Sequence, residues 1–297
     1  MSEKEVEVES AEKKSSCSLS DYNSLVLSGG AVRGLTILGA LQYAYDNFLL
    51  KNVKFFFGTS VGAIICYLLV IGYTPIEMIV YLCTNQLMEK MQSFNIVAMI
   101  QGRGASSFNY LTEHLEKMTI AKIGFLPTME DLYTKYGKTL VCTTHNITES
   151  RTEYIRYETH PKVPCLTAIR MSANLPLVFE RFKYGHSIYV DGGISDNFPI
   201  QMADKPGNKV LGILLSKGKS ALEKNVELNT LEYIYKLLFI PIRQSVQYKI
   251  NNASSERCKI VHLQSVEEIK FFNFNVPSHV KLNMFSKGYE QMQKIFE

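Results

Sequence analysis

Apolar and polar positions along the chain fall into short runs of two kinds. Blocks rich in β-branched and aromatic residues occur at Ser24–Ser28, Val53–Phe57, Thr139–His145, Glu153–Tyr157, Ser187–Val190, Lys209–Leu215 and Lys259–Leu263. Longer stretches with apolar residues at helical spacing lie between and after them, at Gly34–Phe48, Val61–Ile71, Pro75–Lys90, Phe108–Met118, Thr230–Lys249 and Pro277–Phe296. Strands alternating with helices predict an α/β domain whose central sheet is largely parallel and flanked by helices. Residues 1–20 mix Glu, Lys and Ser with few apolar groups. Such a segment buries too little to offset the entropy of ordering, so it is expected to be a flexible N-terminal tail ahead of one domain over 21–297.

One run needs a decision. From Phe55 to Ile76 the chain carries no charged side chain, and about 20 apolar residues suffice to cross a bilayer. The interior of the run argues otherwise. An aromatic block, Phe55–Phe57, is followed by Gly58, Thr59, Ser60 and Gly62, and only Ala63–Ile71 is continuously apolar. That pattern predicts a strand, a sharp turn and a buried helix rather than a span.

Composition narrows the class further. Hydrophobic residues make up 46% of the 297 residues and charged ones 20%, which suits a globular chain with a sizeable core. The net charge is +4, and since the first twenty residues hold three lysines against five glutamates, the rest carries +6. This bias suits an anionic surface and is too weak and scattered for nucleic acid. The six cysteines form no C-x-x-C pair, and most sit in apolar contexts as free thiols would, so a reducing, cytoplasmic setting is expected.

The turn in the uncharged run spells Gly58-Thr59-Ser60-Val61-Gly62, or G-x-S-x-G. A serine that must present its hydroxyl at a strand-to-helix turn sits in strained backbone. Its neighbours two away must then lack side chains. Upstream, the Ser24–Ser28 block runs into Gly29-Gly30-Ala31-Val32-Arg33-Gly34. A dinucleotide fingerprint fails because position 31 is Ala, and a P-loop fails because no Gly-Lys-Ser/Thr follows. What remains is a tight turn, or a loop exposing backbone N–H groups to a developing oxyanion, with Arg33 fixing it or meeting a phosphate. Downstream, Tyr189-Val190-Asp191-Gly192-Gly193 ends a strand with an acid and two glycines. Asp191 is either a turn aspartate or a base, and as a base it needs desolvation and a hydrogen bond to Ser60.

These three motifs, in this order, resemble the patatin-like phospholipase family. A fourth block, Met171-Ser172-Ala173-Asn174-Leu175-Pro176-Leu177-Val178-Phe179, is similar to the family's small-residue, Pro, then Phe segment, with Met171 and Asn174 where many members have alanine. The resemblance covers about Asn23–Pro199. It implies a three-layer patatin-like fold and a serine lipid acyl hydrolase of phospholipase A type. In it Ser60 is the nucleophile, Asp191 its dyad partner, Gly58 and Gly62 the flanks of the elbow, and Gly29, Gly30, Ala31, Arg33 and Gly34 the oxyanion-hole loop. It implies no metal and no cofactor, and a phospholipid or other acyl lipid as substrate.

Two rivals follow from the residues. A Ser-His-Asp esterase of the α/β-hydrolase type would draw on His262 or His279, the two histidines after Asp191, yet neither sits in a motif. A non-catalytic lipid-binding protein would keep the fold without turnover. Peripheral contact with a membrane surface has two candidates, Thr230–Lys249 and Phe271–Phe274, for both of which core packing is the simpler expectation.

Overall fold

The computed structural model describes residues 22–91, 104, 106–217, 230–265 and 274–297. The expected tail at 1–20 lies outside the described residues. Among the described residues eight strands share one sheet: β1 (Ser24–Leu27), β2 (Phe55–Thr59), β3 (Thr139–Asn146), β4 (Arg151–Ile155), β5 (Phe182–Tyr184), β6 (Ser187–Asp191), β7 (Val210–Lys217) and β8 (Cys258–Ser265). Among the described residues the helices are α1 (Gly34–Asp46), α2 (Val61–Val70), α3 (Pro75–Thr84), α4 (Leu87–Lys90), α5 (Asn109–Ile123), α6 (Met129–Tyr136), α7 (Cys165–Ala173), α8 (Ile200–Ala203), α9 (Thr230–Asn251) and α10 (Ser278–Phe296).

The order is β5-β6-β3-β2-β1-β7-β8, with β4 also on β3. Strands β3, β2, β1, β7 and β8 run parallel, and β4, β5 and β6 pair antiparallel. The central strands are buried on both faces: Ser24–Leu27 and Val210, Leu211 and Ile213 are all fully buried. That explains why they read as continuous apolar runs rather than as alternation.

The register explains the site. Cys142 and Thr143 of β3 pair with β2 on one edge and with β4 on the other. Thr144 pairs with Glu153 of β4 and with Asp191 of β6. Strands β2 and β6 therefore share one edge of β3 end to end. Thr59 faces Thr143, and the next rung, at Thr144, belongs to Asp191. Because β6 runs antiparallel, the two strands meet C-terminus to C-terminus, and the residue leaving β2 is Ser60.

The uncharged run resolves as expected into β2, a turn and α2, whose residues are mostly buried. No single described helix is long and apolar enough to cross a membrane. Helices α2 and α3 pass together by composition but are bent by 118°. The expected helix Pro75–Lys90 is two helices, because Asn85 turns extended and its side-chain amide donates to the carbonyl of Tyr81 (3.0 Å). Helices α6 and α7 and strand β5 had no counterpart in the pattern. Helix α10 lies against α1 at backbone contact, where a Cβ on Gly39 would strike the Phe285 carbonyl and one on Gly288 the Thr36 carbonyl.

Candidate active site

Ser60 stands between β2 and α2 with φ 57° and ψ −124°, a conformation that costs a non-glycine residue on the order of 1–3 kcal/mol. Packing holds it there. A Cβ on Gly58 would lie 2.5 Å from the Ala63 nitrogen, and one on Gly62 would lie 2.6 Å from the Leu27 carbonyl. Both glycines are thus required by close approach, as the G-x-S-x-G spacing predicts. The Ser60 N–H donates to Ser172 Oγ (3.0 Å), a buried hydroxyl on α7.

The Ser60 hydroxyl donates to Asp191 Oδ2 at 2.5 Å, and the other carboxylate oxygen accepts from the Gly193 N–H at 2.7 Å. Asp191 is 2% exposed. Burial pushes its carboxyl up to about 6, against the opposing pull of the hydrogen bonds from Ser60 and Gly193. The carboxylate is thereby a stronger base than an ordinary aspartate and is still ionised at neutral pH. The Asp191 N–H donates to the Asn174 carbonyl (2.9 Å), and Asn174 in turn donates from its amide to the Tyr189 carbonyl (3.3 Å).

The Gly29–Gly34 loop follows β1, the parallel neighbour of β2, so both strand ends open onto the same side of the sheet. Its amides are not equivalent. Gly29 donates to the Asn197 carbonyl, Arg33 to the Gly30 carbonyl, and Gly34 back into the turn. The N–H groups of Gly30 and Ala31, and that of Val61 at the start of α2, donate to no protein group among the described residues. Of the five loop residues singled out in the sequence, Gly30 and Ala31 carry the available donors. Arg33 lines the same crevice, and burial, with Arg243 nearby, lowers its pKa.

Two hollows meet at Ser60. The crevice is bordered by Gly30, Arg33, Pro176, Asp191, Asn197 and Phe239. The second is an apolar cavity of about 150 Å³ running between α1, α2, α3, α4 and α5, with Val61, Ile64, Ile65 and Leu68 along one side of α2. Phe274 is buried and lines this cavity. It is therefore not a surface contact, and Phe271, Phe272 and Asn273 lie outside the described residues. His262 and His279 are solvent-exposed and border neither hollow. His114 borders the apolar cavity, its Nδ1 held 2.6 Å from the Tyr81 hydroxyl.

Sequence reasoning missed Asn197 and Asp196, and gave no role to Ser172 within the Met171–Phe179 block. The Asp196 carboxylate is 3% exposed. It accepts from the Tyr154 hydroxyl (2.8 Å) and pairs with Lys249 of α9 (2.7 Å), while its carbonyl accepts from Thr59 (2.9 Å). One residue thus ties the end of β2 to β4 and α9, five positions after Asp191.

The sequence model of the patatin-like phospholipase family matches residues 25–204. The chain belongs to this family. It is accordingly a lipid hydrolase, with an acyl lipid as its class of substrate. It is 32% identical over 284 residues to probable lipid hydrolase 463L of Invertebrate iridescent virus 6, covering 92% of this chain and 89% of that one. The fold is similar to that of VipD from Legionella pneumophila (TM-score 0.54, 16% identity, 92% of this chain). It is also similar to that of the ExoU chain in the ExoU–SpcU complex of Pseudomonas aeruginosa (TM-score 0.53, 17% identity, 93% of this chain). The chain spans 66% of the VipD chain and 51% of the other.

Proposed function

We propose that this patatin-like hydrolase cleaves fatty-acyl esters of phospholipid type through a Ser60–Asp191 dyad. The 2.5 Å hydrogen bond between Ser60 Oγ and a buried Asp191 carboxylate carries the reading. Asp191 takes the hydroxyl proton as Oγ attacks the ester carbonyl, and the oxyanion is met by the N–H groups of Gly30 and Ala31, with that of Val61 in reach. Collapse of the tetrahedral adduct breaks the ester C–O bond. Asp191 returns its proton to the departing alcohol, leaving the acyl group on Ser60. Water then attacks that acyl group, again giving its proton to Asp191; collapse of this second adduct breaks the acyl C–Oγ bond, Asp191 returns the proton to Ser60 Oγ, and the fatty acid leaves. The fixed N–H donors cost no reorganisation at the moment charge develops, and one such donor is worth on the order of 100-fold or more in kcat. The apolar cavity along α2 supplies a dry berth for the acyl chain.

Fatty-acid release from phospholipid vesicles tests this directly. Ser60→Ala and Asp191→Asn should each cut the rate by at least about 1,000-fold while the chain stays folded. A fluorophosphonate should label wild type and not Ser60→Ala. Folded variants with wild-type rates would rule the dyad out. A wild type that resists the probe and turns nothing over would instead favour a non-catalytic lipid-binding protein. The exposed positions of His262 and His279 speak against a histidine triad, and replacing either with Ala should leave the rate unchanged.

A further inference from the structure

Over its first three turns α9 carries apolar residues on both its inner and its outer side. Phe239 and Ile242 turn inward and, with Leu238 at the edge, border the crevice of Ser60 and Asp191. Tyr233, Ile234, Leu237 and Ile240 face solvent, at 54%, 40%, 48% and 51% exposure. At about 3.6 residues per turn these four share one side of the helix, opposite Ile242. A surface helix ordinarily turns polar side chains to water. Core packing, the simpler expectation for this stretch, is therefore wrong for its outer face.

Three further observations say what covers it. The face is continuous with the crevice through Leu238, which both borders the crevice and is 42% exposed. Another rim of the crevice ends in Pro176, and the next residue, Leu177, points an apolar side chain outward from a left-handed backbone (φ 67°, 38% exposed). The charge is positive: besides Lys249, which is paired inward with Asp196, α9 carries Lys236 and Arg243 against Glu232 alone, and Arg243 is exposed on the flank of the apolar face. An exposed apolar patch flanked by cationic charge matches the headgroup and acyl boundary of an anionic bilayer.

We propose that the outer face of α9, together with Leu177, seats on an anionic lipid surface, so that a lipid ester passes straight from the bilayer into the Ser60 crevice. This rests on the crevice being the entry for substrate. Lys249, clamped to Asp196 beside Asp191, anchors the far end of the seated helix to the active-site frame.

Co-sedimentation with phosphatidylcholine vesicles, with and without phosphatidylserine, tests it on the full chain carrying Ser60→Ala, so that no lipid is consumed. Adding Ile234→Gln, Leu237→Gln and Ile240→Gln should lower the bound fraction about tenfold or more, and phosphatidylserine should raise binding of the parent. In the Ser60 background the same three substitutions should leave hydrolysis of a water-soluble butyryl ester unchanged, which shows that the fold and the dyad survive. Undiminished binding by the triple variant overturns the proposal. So does a parent that ignores vesicles but forms a dimer that the triple variant dissolves. Vesicle binding that depends on the three residues, without any esterase turnover in the Ser60 background, would sink the dyad and leave the docking face standing.

Discussion

At the scale of single residues, the site depends on an energetic conflict at Asp191. Its carboxyl is held at about 6 against an ordinary 3.8 because the group is enclosed, and hydrogen bonds from Ser60 and Gly193 offset only part of that. As the proposed base it must be ionised, so kcat/KM should fall tenfold per pH unit below about 6 and level off above it. The same shift sets a stability gradient of the opposite sense. Below pH 3.8 the carboxyl is neutral folded and unfolded; between 3.8 and about 6 the unfolded chain gives up this proton while the folded chain keeps it. Stability is therefore lost as pH rises through that window, up to about 3 kcal/mol above it. Asp191→Asn should abolish turnover yet raise Tm at about pH 8, with no gain below the ordinary carboxylate range. An Asn variant that melts lower at that alkaline pH would show that the carboxylate is stabilising there. At this scale the sequence was highly legible. Ser60, Gly58 and Gly62 announce themselves because a strained turn admits few residue types. Asp196 did not, because a buried carboxylate that braces a site has no motif of its own, and Ser172 stood in the family-like block with nothing to mark its role.

At the scale of elements, the central strands carried their own signals, whereas helices α6 and α7 went unread for different reasons. The strands of the central sheet stood out by their apolar runs to within one or two residues. Helix α6 was missed although Thr128 and Asp131 form a reciprocal cap at its start, a pattern readable from T-x-x-D alone. Helix α7 was missed because its small and polar residues, Thr167, Ser172 and Ala173, show helical spacing only once α2 and β3 lie against it. The glycine in α10 gives this scale its sharpest test. In a helix free of neighbours, Gly288→Ala would stabilise by about 1 kcal/mol. Here the added Cβ meets the Thr36 carbonyl of α1, backbone that cannot step aside. Urea unfolding should therefore show a net loss of about 1–3 kcal/mol, and the sign alone decides whether α1 and α10 touch through their backbones.

At the scale of the whole molecule, the decisive fact is that β2 and β6 occupy successive rungs of one edge of β3. That arrangement brings residues 131 positions apart into a 2.5 Å hydrogen bond. Motif order could suggest the pairing but not derive it, since strand order depends on contacts between segments far apart in the chain. The same assembly closes five helices around the apolar cavity, and its walls follow α2 away from Ser60. Val61, Ile64, Ile65 and Leu68 succeed one another along that wall. At about 1.5 Å per residue, Leu68 lies roughly 12 Å along the axis from Ser60. A butyryl chain ends far short of that position, whereas a palmitoyl chain extends past it. Leu68→Phe, at a site only 5% exposed, puts a ring across the distal part of the cavity without touching Ser60, Asp191 or the donors at Gly30 and Ala31. The palmitoyl ester should lose about tenfold or more in kcat/KM, the butyryl ester should keep its value, and Leu68→Ala should leave both accepted. Equal losses on the two esters would mean that the substitution distorts α2 and the elbow with it. No loss on either would mean that the acyl chain takes another path, leaving the crevice under α9 as its other exit from Ser60.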